Sequence, residues 1–408
     1  MLLYLLFSTL FLLLGGYTVV NRARAIRIFL YLAVLLPIGG VFSSLFIKSG
    51  VAAYEFFYIG LSFSFLLMAF KNKTIGLPFV FVLLIIPLLV TIGLVNENPV
   101  EFILKDTKPF VVLLFVVIFI QQIKNNPSIF RPSDVKTLLG LNLVKVIVIY
   151  VLGNYFGLNA ALSDDSFFVQ NKGFRYSDIG TLFIVFYFIY KLTFKSELSL
   201  YDGVCISIPI LVTQQRTLIL TLLIILYVFY LFNAKLMPRI AMAVMIPACL
   251  VVFFNLVGGR VFDVFDAELL SKLFSIRFSP FVNELANFKT TNDYIFGLGF
   301  GKPFYIPWFE YRENVNNFNP NIDNLYLTYF MKFGLSFVIV LFIFYHLLKK
   351  YIQHPKYVRY LTIYFLMLGV TTAFSYQPIF LFLYVFPVLF VQLNEYKNNK
   401  VLINKIGV

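Results

Sequence analysis

The chain has 408 residues, of which 60% are hydrophobic, 19% aromatic and only 13% charged, and its mean hydropathy is +0.87. A soluble domain runs nearer ~45–50% apolar and ~25% charged, so the composition excludes an ordinary soluble protein and predicts an all-α polytopic membrane protein, one integral membrane domain over 1–408. Lys and Arg number 33 against 19 Asp and Glu, a net charge of +14, and the placement of that charge along the chain decides what it is for.

Roughly 20 consecutive apolar residues cross a bilayer as a helix. Such stretches fall near 1–20, 26–47, 51–70, 75–95, 109–123, 137–157, 176–194, 200–215, 217–233, 239–257, 323–348, 358–375 and 378–394. The first lacks the charged start and small-residue cleavage site of a signal peptide and reads as a span. The fifth is short, and only Gln214-Gln215-Arg216 parts the eighth from the ninth. The last two share one run broken at Ser375-Tyr376-Gln377-Pro378, so the expected number of spans is 11 to 13.

With the loop after the first span cytoplasmic, 19 Lys and Arg lie on the inner side and six in the short outer loops. Six more lie in the long polar loop over 258–322, and two, Lys145 and Lys332, fall within spans close enough to an end to snorkel. Long loops translocate largely regardless of charge, so 19 against six orients the chain: the large loop faces the periplasm and the C-terminus the cytoplasm. The positive charge is then a cytoplasmic belt suited to anionic membrane lipids and calls for no nucleic acid. Cys205 and Cys249 sit in apolar runs as packing residues. His346 and His354 have no Cys or carboxylate cluster beside them, so neither a disulfide framework, a metal site nor another cofactor is expected.

The large loop has structure of its own. Phe262, Phe265, Leu269, Leu273 and Ile276 recur on one helical face and predict a short interfacial helix. Ser279-Pro280 reads as an N-cap followed by Pro at the first helical position. That second helix carries Phe281, Leu285 and Phe288 and stops at Thr290-Thr291-Asn292-Asp293. Gly297-Leu298-Gly299-Phe300-Gly301-Lys302 then makes a tight turn. It is not a dinucleotide fingerprint, because Lys302 stands where the third glycine belongs. It either returns the loop to the membrane or turns its amides and Lys302 towards anionic oxygens.

Four charges stand out. Arg216 lies between apolar runs at the outer ends of the eighth and ninth spans, and an arginine there either snorkels or faces a cavity or partner. Its planar fork suits phosphate. Arg175 opens the seventh span with the same alternatives, and Arg277 lies between the two loop helices. Asp323 opens the long eleventh span, either as a plain helix cap or as a carboxylate kept ionised by the helix N-terminus. Asp164, Asp165, Asp293 and Glu310 are weaker acidic candidates on the same side.

Many spans, one large late outer loop, the Gly-Leu-Gly-Phe-Gly turn and then Asp323-Asn324-Leu325-Tyr326-Leu327 with Phe333-Gly334-Leu335 resemble the bacterial O-antigen polymerase (Wzy-type) and O-antigen ligase superfamily. Thr213-Gln214-Gln215-Arg216-Thr217 looks like that family's Ser-Arg-Thr segment with Gln for Ser, and Phe174-Arg175-Tyr176 like its earlier loop arginine. The resemblance covers roughly 100–394. Ligases carry a His before the Asn of the loop–helix motif where this chain has Asp323, which tilts the reading towards polymerase. The resemblance implies a metal-independent, GT-C-like membrane glycosyltransferase of the bacterial inner membrane. It would join undecaprenyl-diphosphate-linked oligosaccharide repeats into O-antigen or a related surface polysaccharide at the periplasmic face, with a chain-length regulator protein as a possible partner. Asp323 would be the base, and Arg175, Arg216, Arg277, Lys302, Asn324 and Tyr326 would surround the substrate.

The residues agree with that implication. No Asp-x-Asp triplet, the usual metal clamp for a nucleotide-sugar donor, occurs in the chain. A ligase, a lipid-linked oligosaccharide flippase or other transporter, and an enzyme using polyprenyl monophosphate sugars are the alternatives. The last commonly carries acids in the first outer loop, here only about Lys48-Ser49-Gly50. The orientation has a direct check. A cysteine introduced at Asn316 is expected to label with an impermeant thiol reagent in intact spheroplasts and one at Asn398 is not; the reverse pattern would end the assignment.

Overall fold

The computed structural model of the chain describes residues 2–38, 42–48, 51–62, 77–126, 129–156, 176–194, 198–213, 215–233, 278–306, 317–377 and 379–406. Most of them are helical. In chain order the helices are α1 (Leu2–Tyr17), α2 (Arg22–Leu35), α3 (Ser43–Phe46), α4 (Leu77–Val95), α5 (Val100–Lys124), α6 (Pro132–Tyr155) and α7 (Ile179–Thr193). There follow α8 (Leu200–Thr213), α9 (Arg216–Asn233), α10 (Thr291–Phe296), α11 (Leu325–Phe333), α12 (Phe337–Tyr351), α13 (Pro355–Thr371) and α14 (Phe382–Ile406). Residues 56–62 and 278–285 are helical as well. Two small antiparallel ribbons complete the described residues. One pairs β1 (Ile47–Lys48) with β2 (Val51–Ala52), Ile47 opposite Ala52, and the other pairs β3 (Phe304–Tyr305) with β4 (Phe318–Asn319), Phe304 opposite Asn319.

Among the described residues two stretches, Pro132–Gly153 and Leu325–Tyr351, are long and apolar enough to cross a membrane; Leu2–Tyr17, Ile179–Thr193, Leu200–Thr213 and Thr217–Phe232 are shorter apolar helices. The expected tenth span and the expected interfacial helix over 262–276 lie outside the described residues, as do Arg175, Arg277, Asp164, Asp165, Glu310 and Cys249.

The helices depart from the expected spans in four places, each with a local cause. The expected span over 26–47 stops at Leu35, because Pro37 drives Leu36 into an extended conformation (φ −69°, ψ 136°). The fifth helix is not short: α5 begins at Val100 behind Pro99 and carries Pro109 inside it, which brings Asp106 and Lys108 into the helix. Thr290 does not end a helix but caps a new one, its hydroxyl accepting from Asp293 N in a capping box at the start of α10. The expected eleventh span is broken in two, α11 and α12, by a 3₁₀ turn at Gly334–Ser336 with Gly334 at φ +55°.

α7 sits at the centre of the bundle, with nearly every side chain buried. Its Phe183 lies 5.3 Å from Phe386 and 5.4 Å from Phe390 of α14, and Phe186 lies 5.5 Å from Tyr364 of α13. Further out, Phe29 of α2 stacks on Phe57 at 4.0 Å and on Phe382 at 5.9 Å. A helix that is apolar all round belongs inside a bundle, and aromatic pairs add directional preference to its burial.

The glycine turn is clamped between two parts of this bundle. Leu298 N and Gly299 N donate to Met331 O and Lys332 O, each at 3.0 Å, and so satisfy carbonyls that the end of α11 leaves without helical partners. On the other side Phe300 N donates to Leu89 O of α4 at 3.3 Å, and Asn98 Nδ2 donates to Leu298 O and Phe300 O, both at 2.9 Å. The ring of Phe300 is fully buried between Phe110 and Phe333. Gly297, Gly299 and Gly301 all have positive φ. At Gly299 a Cβ would stand 2.5 Å from Gly93 N, backbone against backbone. Gly299→Ala therefore combines a left-handed backbone, worth of order 1–3 kcal/mol, with a contact that no side-chain movement relieves. It is expected to lower the melting temperature of the detergent-purified protein; an unchanged melt would mean the turn is not held this way.

Candidate functional site

Asp323, Asn324 and Tyr326 stand at the mouth of α11. The N-cap is Asn324, not Asp323: its side chain accepts from Leu327 N at 3.0 Å. The same amide donates from Nδ2 to Val370 O at 3.1 Å, and the Tyr326 hydroxyl donates to Leu366 O at 2.9 Å. Gly369 leaves room for the Tyr326 ring, whose Cζ would lie 2.9 Å from a Cβ at that position. Both residues thus tie the start of α11 to the end of α13. Thr328 Oγ1 accepts from Ile322 N at 3.2 Å and fixes the approach to the helix. Asp323 is exposed and makes no hydrogen bond or ion pair among the described residues. A free carboxylate one residue before a firmly capped helix is available to a ligand, which a capping carboxylate is not.

Of the other candidates on this side, Lys302 is half-buried and forms an ion pair with Glu284 at 2.8 Å. The amides of the glycine turn are engaged: Gly297 N donates to Asp293 O at 2.8 Å and Gly301 N to Asp106 Oδ2 at 2.6 Å, in addition to the three bonds above. The amides from Gly297 to Gly301 are therefore not open to an anionic ligand. The turn returns the loop to the bundle. Asp293 accepts from Lys289 N and Thr290 N, both at 2.8 Å, and the Thr290 N–H above all holds its carboxyl below the usual carboxylate range, which weakens it as a base. Arg216 begins α9, with its side chain outside what is described.

Beneath the mouth lies a group the sequence did not single out. Asp106 of α5 and Lys332 of α11 form an ion pair with both side chains fully buried. The same carboxylate oxygen that meets Lys332 accepts from Gly301 N of the glycine turn. The Lys332 ammonium lies over the Tyr376 ring, 5.6 Å from its centroid, and Tyr329 donates to Ser375 Oγ at 2.7 Å. One pair therefore joins four segments: α5, the turn, the end of α11 and the 3₁₀ turn at Phe374–Tyr376. Asp106 Oδ1 and the Tyr376 hydroxyl are both buried; Asp106 and Tyr376 interact, short of full hydrogen-bond geometry. The expectation that Lys332 snorkels is corrected here, since its ammonium is inside the protein.

Lys145 is corrected in the same way. It pairs with Asp178, whose side chain is fully buried, and donates to Val34 O at 2.6 Å. Asp178 also caps α7, accepting from Thr181 N at 3.1 Å, and receives the Tyr176 hydroxyl at 2.5 Å. Asn142 lies against Gly180, and both its amide atoms are buried without partners. A sequence signal for the Asp106 pair did exist. Had Pro109 been placed inside a helix of ordinary membrane length rather than at its start, Asp106 would have fallen within a span, where a carboxylate demands a cation.

The chain belongs to a family of unknown function, DUF6369, whose model matches residues 22–400. No curated protein and no solved structure matches it.

The buried pair makes a specific expectation. Removing one partner of a buried ion pair typically costs about 3–5 kcal/mol, whereas an apolar replacement of both is often close to neutral. Asp106→Asn keeps an acceptor for Gly301 N yet strands Lys332, so it should melt well below the parent protein, as should Lys332→Met. The Asp106→Asn/Lys332→Met double variant should recover more than half of the loss. Strictly additive losses in detergent melts would show that the two charges are not coupled.

Proposed function

We propose that the chain is a multi-pass membrane glycosyltransferase that joins lipid-diphosphate-linked oligosaccharide repeats at the outer face of the bacterial inner membrane. The observation that carries this reading is Asp323: exposed, without a partner among the described residues, and set at the tip of a helix whose mouth Asn324 and Tyr326 hold in place. A general base must reach the proton it removes, and among the acids described near the outer loop Asp106 is paired and Asp293 is engaged by backbone amides.

The membrane setting is supported by what the helices expose. α1 shows Leu2, Leu6 and Leu13, α6 shows Val144 and Val148, and α12 shows Val338, Ile339 and Phe342, all at least 49% accessible. Apolar surface spread over several helices suits lipid and not water. With the basic asymmetry of the loops, this favours the 11 to 13 spans read from the sequence.

In the proposed reaction the hydroxyl of one repeat attacks the anomeric carbon of the sugar on the lipid diphosphate. The new glycosidic C–O bond forms as the bond to diphosphate breaks, and the lipid diphosphate leaves with the electron pair. Asp323 takes the hydroxyl proton. Arg175, Arg216 and Arg277 offset the charge on the leaving group; Lys302 joins them if Glu284 gives it up. Asn324 and Tyr326 fix the base relative to the substrate.

A second reading, a transporter of lipid-linked oligosaccharides, is favoured by the buried pairs Asp106–Lys332 and Lys145–Asp178, because ionisable groups inside an apolar bundle often mark a transport path. Purified protein that lengthens lipid-linked glycan without any gradient separates the two.

Asp323→Asn is the sharpest test. Asn324 is the cap, so the substitution leaves helix capping untouched, while loss of a general base typically costs ~10²–10⁴-fold in rate. The variant should reach the membrane at normal level and leave the surface glycan of the native host at single repeats on a gel. Wild-type polymer from this variant would remove Asp323 from the chemistry.

A further inference from the structure

At the ends of α6, α7 and α8 opposite the outer loop, a cavity of about 370 Å³ opens beside α14. Its size is that of a small-molecule site, and its walls divide by chemistry. Lys136 from the first turns of α6 and Lys191 from the last turn of α7 supply two ammonium groups. Asp202 is the one carboxylate lining it; it binds Lys191 at 2.9 Å, and its first oxygen takes the Tyr187 hydroxyl at 2.8 Å. Ser199 and Asp202 form a reciprocal cap at the start of α8, Ser199 N to Asp202 Oδ2 and Asp202 N to Ser199 Oγ, both 3.1 Å. With that acid engaged, Lys136 is the surplus charge: it has no carboxylate partner among the described residues. Tyr190 turns its ring onto Phe390 at 5.3 Å, and its hydroxyl makes no hydrogen bond among the described residues. Leu198, on the rim, is 49% accessible, and Leu200, two residues on at the start of α8, is 87% accessible.

We infer that this cavity holds the phosphate of an anionic phospholipid headgroup from the cytoplasmic leaflet. Lys136 and the Tyr190 hydroxyl meet the phosphate oxygens, and the exposed leucines lie along the acyl chains. Basic recesses between helices on the cytoplasmic side suit anionic headgroups, whereas a soluble phosphate compound gains nothing from an apolar rim. The inference rests on the membrane reading and its orientation, not on the glycosyl-transfer chemistry.

The test is the melting temperature of the full chain purified in a neutral detergent, with phosphatidylglycerol, phosphatidylcholine or inorganic phosphate added. A ligand that binds only the folded state raises the melt by an amount that grows with the logarithm of its concentration over its Kd. Phosphatidylglycerol should raise it by several degrees and phosphatidylcholine should leave it almost unmoved. Lys136→Gln should keep the lipid-free melt, because this lysine is exposed and has no carboxylate partner among the described residues, and lose at least half of the rise; Lys136→Arg should retain it. Tyr190→Phe, which keeps the ring packing, should lose part of the rise and serves in place of Lys136→Gln if that variant's lipid-free melt moves. An equal rise with both lipids, or an undiminished rise in Lys136→Gln and Tyr190→Phe, overturns the site. The same rise with inorganic phosphate overturns the lipid and assigns a soluble phosphate instead. The assay uses no glycan, so its failure leaves the polymerase reading standing and the failure of Asp323 leaves this site standing.

Discussion

The ion pair between Asp106 and Lys332 is the constraint on which the arrangement of the glycine turn and α11 depends. Taking two charges out of water is costly, and their attraction offsets that cost only when the geometry is good and the remaining lone pairs are used. Here Asp106 also takes the Gly301 amide, and the Lys332 ammonium faces the Tyr376 ring. The pair therefore fixes register more than it adds stability: if the glycine turn slides by one residue, Asp106 loses an amide and α11 loses two carbonyl partners together. Asp106 and the Tyr376 hydroxyl interact short of full hydrogen-bond geometry, which marks where this arrangement is incompletely satisfied.

The broken helix follows from the same contacts. Leu325–Tyr351 is 27 residues long and apolar enough to be continuous, yet it turns at Gly334. A helix that ends inside an apolar bundle leaves carbonyls without water to accept from, and irregular backbone at such depth is tolerated only where protein supplies the missing partners. Leu298 N and Gly299 N supply them. Positive φ at Gly297, Gly299 and Gly301 lets the turn pass close enough to do so, and a Cβ at Gly334 would stand 2.5 Å from Tyr294 O. The glycine spacing is thus a packing requirement.

Much of the helical framework was legible in the sequence because apolar length is a strong signal: α1, α4, α6, α7, α8 and α9 fall within a few residues of the expected spans. What misled were residues whose effect depends on partners far along the chain. Pro109 looked like a helix start and sits inside α5, so Asp106 was left in a loop. Lys332 looked able to snorkel because its partner lies 226 residues away. Thr290 looked like a stop because hydroxyl and carboxylate residues serve helix ends and starts alike. Of the site itself, the position of Asp323 at a helix mouth was legible, while the identity of the cap was not: Asp and Asn are equally good caps, and the bond from Leu327 N to Asn324 Oδ1 decides between the two residues.

These contacts together produce a short, rigid stub. α11 has only nine residues, and both its ends are held, the first by Asn324 and Tyr326 on α13, the last by the glycine turn and the buried pair. A stub held at both ends cannot rotate to bury the carboxylate at its tip, and groups that act on a substrate gain from being set on rigid elements supported by a second layer of contacts. The charges of this region accordingly divide in two. Asp106, Lys332 and Asp293 are consumed by the structure and hold the backbone. Asp323, one residue outside the cap, is exposed and has no partner among the described residues. The polar groups that brace this tip, Asn324, Tyr326 and Thr328, are each committed to backbone partners, and Asp323 is not among them.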